Sequence, residues 1–137
     1  TTAQTINMPV EQIDLAPTIL ELADIPVPEW IEGRSLMPLL EGKILEPKPI
    51  YSMELIKNRT IGNYAITKGT IAVWDGEYKL IYYLENKRSL LFDLDFDPDE
   101  KKDISKEKPA ITQRLITLVE DGVSNANKKS KQSIIEF

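Results

Sequence analysis

The chain has 137 residues, of which 17 are basic and 22 acidic, and it contains neither Cys nor His. This length and an apolar share of 42% are typical of a folded domain with a modest core. The absence of Cys excludes disulfides, thiolate catalysis and Cys-ligated zinc. The net charge of −5 argues against a nucleic-acid partner, which would need a clustered basic face.

A membrane partner is not expected either. No apolar run approaches the roughly 20 residues of a membrane span, and Thr1 to Thr5 show no targeting signal. The one basic run, Lys128 to Lys131, is typical of a solvated tail.

The first predicted element is a short amphipathic helix between Met8 and Asp24. Its apolar residues recur at helical spacing: Ile13, Ala16, Ile19, Leu20, Leu22 and Ala23. With Asp14 as the N-cap, Pro17 takes the third helical position, where its missing N–H has no intrahelical acceptor to lose. The Asp14 carboxylate is then expected to accept a hydrogen bond from the Ala16 amide.

Prolines and glycines shape the stretch after this helix. Pro26 and Pro28 end it, and Ser35 to Leu40 predicts a compact turn or short helix closed by Gly42. The sequence therefore predicts three parts: a connecting segment over 1–48, a sheet with a packing helix over 49–122, and a polar tail over 123–137.

The middle part contains β-branched and aromatic runs that predict strands. The runs are Ile50–Met53, Tyr64–Lys68, Thr70–Trp74, Tyr78–Tyr83 and Ser89–Leu94. Asp75-Gly76 predicts a hairpin with a type I′ turn, and Leu84 to Arg88 predicts a second, longer hairpin loop. Together they indicate an antiparallel meander of about four strands.

A helix beginning at Pro109 is predicted to cover this sheet, which gives an α+β fold. Pro is favoured at the first helical position, and Gly122 is expected just past the end. One face of the helix is apolar: Ile111, Leu115, Leu118 and Val119. The residues from Val123 onward are predicted to be too poor in apolar groups to pack, although Ile134, Ile135 and Phe137 could dock.

Three candidate sites fail on chemical grounds. The acidic run from Asp93 to Glu100 lacks the Gly and the final carboxylate of a calcium loop, so it is interpreted as a strand exit in which Asp97 and Pro98 form a turn. Ser35 and Ser52 lack the surroundings of an activated nucleophile. Tyr78, Tyr82 and Tyr83 beside Trp74 could form a platform for a sugar or a peptide, but aromatic residues of a meander usually pack across strands, so they are interpreted as core.

Two groups of residues, in this order, resemble the C-terminal part of sulfatases. In the first, an Asp-Leu-x-Pro-Thr pattern and an apolar helix lead to a Gly-x-Ser-Leu turn. In the second, Gly76 to Ile81 precedes Leu91-Phe92-Asp93-Leu94, Asp97-Pro98 and Glu100-Lys101. The signature residues are Asp14, Pro17, Thr18, Gly33, Ser35, Leu36, Asp93, Asp97, Pro98 and Glu100.

This resemblance implies that the chain is a fragment of a larger α/β sulfatase fold, and that the parent enzyme hydrolyses sulfate esters. Sulfatases use a formylglycine made within a Cys/Ser-x-Pro-x-Arg motif and a divalent, calcium-like metal. The chain contains neither that motif nor the metal ligands, so no catalytic, cofactor-binding or metal-binding residue is assigned and the chain alone is expected to be inactive. The resemblance implies structural roles for the signature residues and a missing N-terminal catalytic domain as partner. The loop Asn58 to Asn63 is a candidate for contact with substrate.

Two alternatives stay open. One is a stand-alone binding or interaction module that has kept this subdomain. If Ile13, Ile19, Leu20 and Leu22 normally pack on an absent domain, the isolated chain should expose an apolar patch and self-associate, whereas a buried helix would favour the module. The other is the tail of a related phosphate or phosphonate ester hydrolase of the alkaline phosphatase superfamily.

Overall fold

The structure, a computed structural model, describes residues 5–56 and 65–135, with side chains up to Lys129. The chain divides into two compact units, Thr1–Ile50 and Tyr51–Phe137, called unit 1 and unit 2. The three-part division made from the sequence stays a prediction.

Unit 1 contains two short α-helices. A 3₁₀ turn, Gln12–Asp14, leads directly into α1, Leu15–Leu22, and Asp24 ends the helix in the left-handed region with a φ of 55°. The second helix, α2, is Met37–Leu40, and Gly42 follows it with a φ of 75°. The predicted helix and the predicted compact turn are both present.

Unit 2 is built on a four-stranded sheet in the order β1-β2-β3-β4. The strands are β1 Ile50–Leu55, β2 Gly69–Asp75, β3 Tyr78–Tyr83 and β4 Arg88–Asp93. Antiparallel pairing places Val73 opposite Leu80 and Leu80 opposite Leu91, so three fully buried residues lie side by side on one face. The predicted α+β fold with an antiparallel meander is confirmed.

Two details of the predicted sheet are wrong. Ala65 to Lys68 form no strand, because the Asn127 side chain bonds to both backbone groups of Ile66. Its Oδ1 accepts from the Ile66 N–H at 2.6 Å, and its Nδ2 donates to the Ile66 carbonyl at 3.2 Å. The hairpin loop is Gly76-Glu77, with a positive φ at Gly76 but not at Glu77, whereas a type I′ turn needs both.

The third helix, α3, is Pro109–Ile135 and covers the sheet. Pro109 begins it as predicted, and Leu115 and Val119 complete a core on the sheet face. The predicted end at Gly122 is wrong, since the helix continues through that residue because Val123 still packs against the core. The predicted docking of Ile134, Ile135 and Phe137 lies outside the described side chains. No described helix is long and apolar enough to cross a membrane.

Candidate functional site

A buried carboxylate organises the first group of signature residues in unit 1. Asp14 is 0% exposed, and its two oxygens accept different backbone amides: Oδ2 accepts from the Glu11 N–H at 3.1 Å and Oδ1 from the Arg34 N–H at 2.9 Å. Lys48 Nζ lies 3.4 Å from Oδ1 and 2.7 Å from the Glu11 carboxylate. We call Asp14 and these three partners the Asp14 cluster.

Asp14 is the N-cap residue of α1 and Pro17 takes the third helical position, as predicted, but the predicted hydrogen bond from the Ala16 amide is absent. The Asp14 side chain makes no cap hydrogen bond to α1 because both oxygens are directed at residues outside the helix. Burial alone would raise the pKa of Asp14, but the Arg34 and Glu11 amides, with Lys48 beside them, hold that pKa below its usual value. The carboxylate is therefore kept charged inside unit 1.

Thr18 links α1 to the segment that precedes α2. Its Oγ1 donates to the Asp14 carbonyl at 2.5 Å and accepts from the Leu36 N–H at 2.9 Å. Ser35 Oγ accepts from the Met37 N–H at 3.2 Å at the start of α2. The Thr18 hydroxyl thus fixes the Gly-x-Ser-Leu turn against α1, while the Ser35 hydroxyl stabilises the start of α2.

Gly33 lies in backbone contact with the 3₁₀ turn. A Cβ at this position would lie 2.1 Å from the Ile13 carbonyl oxygen. Because that oxygen belongs to the backbone, no change of side-chain rotamer could relieve the clash. This close approach brings the Arg34 amide to Asp14. Pro17, at the third position of α1, is fully buried beside the cluster residues.

The second group of signature residues forms the turn after β4. Asp97 Oδ2 accepts from the Lys102 N–H at 2.8 Å, and the Lys102 and Lys101 amides lower the pKa of Asp97. Pro98 lies within this turn, which closes with Glu100 at a φ of 55°. Lys79 from β3 pairs with Glu100 at 2.6 Å.

Asp93, at the end of β4, is the one buried signature residue of this turn. Its Oδ2 lies 3.9 Å from Lys108 Nζ, which donates to the Tyr78 hydroxyl at 2.6 Å. Tyr78 and Tyr82 are both buried, which confirms that they belong to the core.

The described residues do not fit the metal or the formylglycine that the family implies. Among the described side chains, those of 5–56 and 65–129, no three acidic groups converge where an ion could bind. In the acidic run, Asp97 and Glu100 are engaged with protein donors. The loop predicted to contact substrate, Asn58 to Asn63, lies outside the described residues.

Sequence reasoning missed Arg34 and Lys48, which complete the Asp14 cluster. They lie 20 and 34 residues from Asp14, so no periodic pattern connects them. The Arg34 guanidinium also donates to the Glu46 carbonyl. One weak signal could have indicated Lys48. It lies between Pro47 and Pro49, and proline on both sides stiffens the backbone and so helps to fix the position of the side chain.

Helix α1 presents an exposed apolar surface, which we call the α1 apolar face. It consists of Ile13, Leu15, Ile19 and Leu22. Ile19 is 63% and Leu22 67% exposed, and Trp30 of the same unit is 80% exposed. Of the four residues predicted to form the patch, Ile13, Ile19 and Leu22 are exposed and Leu20 is half-buried. The stand-alone module stays an open alternative.

The amino-acid sequence of the chain is similar to that of known proteins. Residues 1–128 match the family described as N-sulphoglucosamine sulphohydrolase, C-terminal. Arylsulfatase K of Xenopus laevis is 32% identical over 117 residues, which are 82% of this chain and 22% of that protein. The chain thus spans about one fifth of the length of the curated relatives it matches.

Solved structures share the fold. A crystal structure of a putative sulfatase from Bacteroides thetaiotaomicron is similar with a TM-score of 0.69 and 28% identity, over 88% of this chain and 25% of that one. A phosphonate monoester hydrolase from Silicibacter pomeroyi has a TM-score of 0.65 at 22% identity, over 90% of this chain and 26% of that one, which shows a common fold alone. The chain belongs to the sulfatase family described as N-sulphoglucosamine sulphohydrolase, C-terminal.

Proposed function

We propose that this chain is the non-catalytic C-terminal part of an enzyme that hydrolyses sulfate esters, and that it has no activity alone. The observation that carries the proposal is the exposed α1 apolar face on a helix that follows the fully buried, charged Asp14. A buried charge is costly unless its partners, here Glu11, Arg34 and Lys48, are held in good geometry, whereas an exposed apolar surface is unfavourable until something covers it. The combination suits a rigid piece that packs on a larger domain.

The covering partner in this proposal is a preceding catalytic domain. That domain would supply the formylglycine, which provides the covalent nucleophile, and the divalent metal, which polarises the sulfate ester. The residues of this chain would hold the α1 apolar face and the strand-exit turn in position. The signature residues from Asp14 to Leu36 and from Asp93 to Glu100 have structural roles in this scheme.

A turnover assay tests the proposal. This chain and the longer polypeptide from which it derives would each be assayed with a chromogenic aryl sulfate. We expect no turnover above background for the chain, and turnover by the longer polypeptide that disappears when the Cys or Ser of its Cys/Ser-x-Pro-x-Arg motif is replaced by Ala. Turnover by the chain alone would contradict the proposal.

A related phosphonate ester hydrolase is the second candidate, supported by the fold shared with the Silicibacter pomeroyi enzyme. The same longer polypeptide would be assayed with an aryl phosphonate monoester. Preference for the aryl sulfate supports the first candidate, and preference for the phosphonate supports the second.

A further inference from the structure

The chain contains two Asp-Gly pairs, Asp75-Gly76 and Asp121-Gly122. This dipeptide is chemically reactive, because glycine has no side chain to shield its amide nitrogen from the carboxyl carbon of the preceding residue. The two pairs lie in different surroundings: the first is where β2 meets the β2–β3 loop, and the second is inside α3. A difference in their reactivity in the folded chain would therefore report the fold.

The amide of Gly76 lies outside the strand ladder. Pairing between β2 and β3 ends with Asp75 opposite Tyr78, and Gly76 follows in an exposed loop with a φ of 61°. A Cβ at this position would meet nothing within 4 Å, so the space around the peptide unit is open. The peptide between Asp75 and Gly76 can thus rotate toward the Asp75 carboxyl without a clash at Gly76.

The amide of Gly122 lies in a continuous helix. α3 is Pro109–Ile135, so Gly122 has helical residues on both sides and its N–H donates to the preceding turn. Attack on the Asp121 carboxyl would require this hydrogen bond to break and the helix to open. Because Asp121 is exposed, this pair is protected by its backbone and not by burial.

The Asp75 carboxylate is held by an arginine of α3. Arg114 Nη1 pairs with Asp75 Oδ2, and this pair joins the helix to the end of β2. The Asp75 side chain is 28% exposed, so water reaches it. Before the carboxyl carbon can approach the Gly76 nitrogen, the carboxyl group must turn away from α3, which breaks the pair. Since an ion pair of this exposure contributes little free energy, it slows the rotation without preventing it.

We propose that Asp75 is a site of spontaneous conversion to isoaspartate and that Arg114 restrains the reaction. In the neutral carboxyl form, the Gly76 nitrogen attacks Asp75 Cγ and loses its proton, while the C–OH bond breaks and water leaves. A cyclic succinimide results. Water then adds to the Asp75 main-chain carbonyl and breaks its bond to the Gly76 nitrogen, so the chain afterwards runs through Cγ; addition at Cγ instead restores Asp75. The same amount of water leaves and returns, and neither an oxidant nor a reductant is needed.

Conversion would alter the hairpin between β2 and β3. Isoaspartate adds a carbon to the backbone and moves the carboxylate, so both the pairing of Asp75 with Tyr78 and the ion pair with Arg114 would change. The inference concerns the chemistry of unit 2 and does not rest on the proposed function.

Peptide mapping of the aged chain tests the proposal. The folded chain is incubated in warm, mildly acidic buffer, and its tryptic peptides are analysed by electron-transfer fragmentation, which distinguishes isoaspartate from aspartate. We expect isoaspartate at Asp75 and not at Asp121, and we expect Arg114→Gln to raise the rate at Asp75 by about two- to fivefold, the factor to which an exposed ion pair corresponds. The matched control is Lys128→Gln, which removes a positive charge from α3 and leaves the ion pair in place. In urea, the two Asp-Gly pairs should react at similar rates.

Product at Asp75 alone, formed faster in Arg114→Gln and not in Lys128→Gln, supports the proposal. Three results would overturn it: as much product at Asp121 as at Asp75 in the folded chain, a difference between the pairs that persists in urea, or an unchanged rate in Arg114→Gln. Equal acceleration at both pairs in Arg114→Gln would also overturn it, because the arginine would then stabilise unit 2 generally and not restrain one side chain. The turnover test of the longer polypeptide is unaffected by any of these results.

Discussion

At the scale of single residues, unit 1 depends on a charge that water does not reach. Asp14 is stabilised in its charged form because two amides and one ammonium group replace its hydration. The Arg34 amide reaches it because Gly33 lets two backbone segments approach closely. The stability of the buried charge therefore depends on Gly33, and a substitution at either Asp14 or Gly33 should disturb the Arg34 amide that joins them.

Replacing Gly33 with Ala should destabilise unit 1, since the new Cβ would lie 2.1 Å from the Ile13 carbonyl oxygen. Backbone must move to relieve this contact, at a cost of about 2–3 kcal/mol in the free energy of unfolding. Faster hydrogen exchange at the Arg34 amide would report it. The matched control is Gly122→Ala, where nothing lies within 4 Å of the new Cβ and where the helix should gain about 0.5–1 kcal/mol. Equal effects of the two substitutions would refute the close-approach argument.

The stability of unit 1 should fall in acid. Because Asp14 has a lower pKa folded than unfolded, its contribution is present above the unfolded value of about 3.9 and is lost as the pH falls through the folded pKa. Asp14→Asn should cost about 1–3 kcal/mol at pH 7 and flatten the acid dependence, measured by urea unfolding from pH 2 to 7. Asp24→Asn, at an exposed carboxylate, should keep the dependence. An unchanged acid limb in Asp14→Asn would argue against this assignment.

At the scale of elements, the lengths of α3 and of β2 depend on each other. Asn127, five residues beyond Gly122, bonds to both backbone groups of Ile66 and so occupies the positions that another strand residue would use. Ile66 therefore pairs with a helix side chain, and backbone pairing with the end of β1 begins only at Lys68, whose carbonyl accepts from the Ile56 N–H. Gly69 then begins β2, where a Cβ would lie 2.4 Å from the Glu54 carbonyl oxygen of β1.

Asn127→Ala should release the Ile66 segment without unfolding the sheet. Two hydrogen bonds at about 1 kcal/mol each would be lost, so exchange of the Ile66 amide should accelerate while exchange of the Leu80 amide stays slow. Asn125→Ala, on an exposed position of the same helix, serves as the control and should leave the Ile66 amide protected. Equal protection of Ile66 in both variants would contradict this role of Asn127.

The same elements explain what the sequence could predict. Alternating apolar residues and turn residues sufficed for the β2–β3–β4 meander and for the start of α3, because these features depend on neighbours in the chain. The continuation of α3 beyond Gly122 depends on the packing of Val123 against the core, and the loss of the strand before β2 depends on a contact across 61 residues. No local pattern contains either contact. The signature positions of the candidate site were identified, but their partners Arg34 and Lys48 were not, for the same reason.

At the scale of the whole molecule, an exposed apolar surface remains on unit 1 after the chain has folded. Leu15, Ile19 and Leu22 are spaced four and three residues apart, so they share one side of α1, and each is more than half exposed. Helices of soluble proteins usually turn such a side inward. Unit 1 thus keeps an apolar surface exposed to solvent on α1.

Adding charge to the α1 apolar face should suppress self-association of the isolated chain. We expect Ile19→Glu/Leu22→Glu to sediment as a monomer at concentrations where the unchanged chain associates, because the substitution removes apolar contact area and adds repulsion. Gln12→Glu, also at an exposed position, adds charge without removing apolar area and should associate as the unchanged chain does. Monomeric behaviour of the unchanged chain at high concentration would contradict the expectation.

The meander has a consequence for the route by which unit 2 folds. Its hairpin loops, 76–77 and 84–87, join strands whose residues pair with near neighbours in the chain, and pairing of this kind costs little loop-closure entropy. β2, β3 and β4 can therefore assemble early and offer α3 a finished surface, while the Asn127 contact, which closes a far longer loop, forms late. Substitutions in the two hairpins should slow folding, and substitutions at Asn127 should mainly speed unfolding.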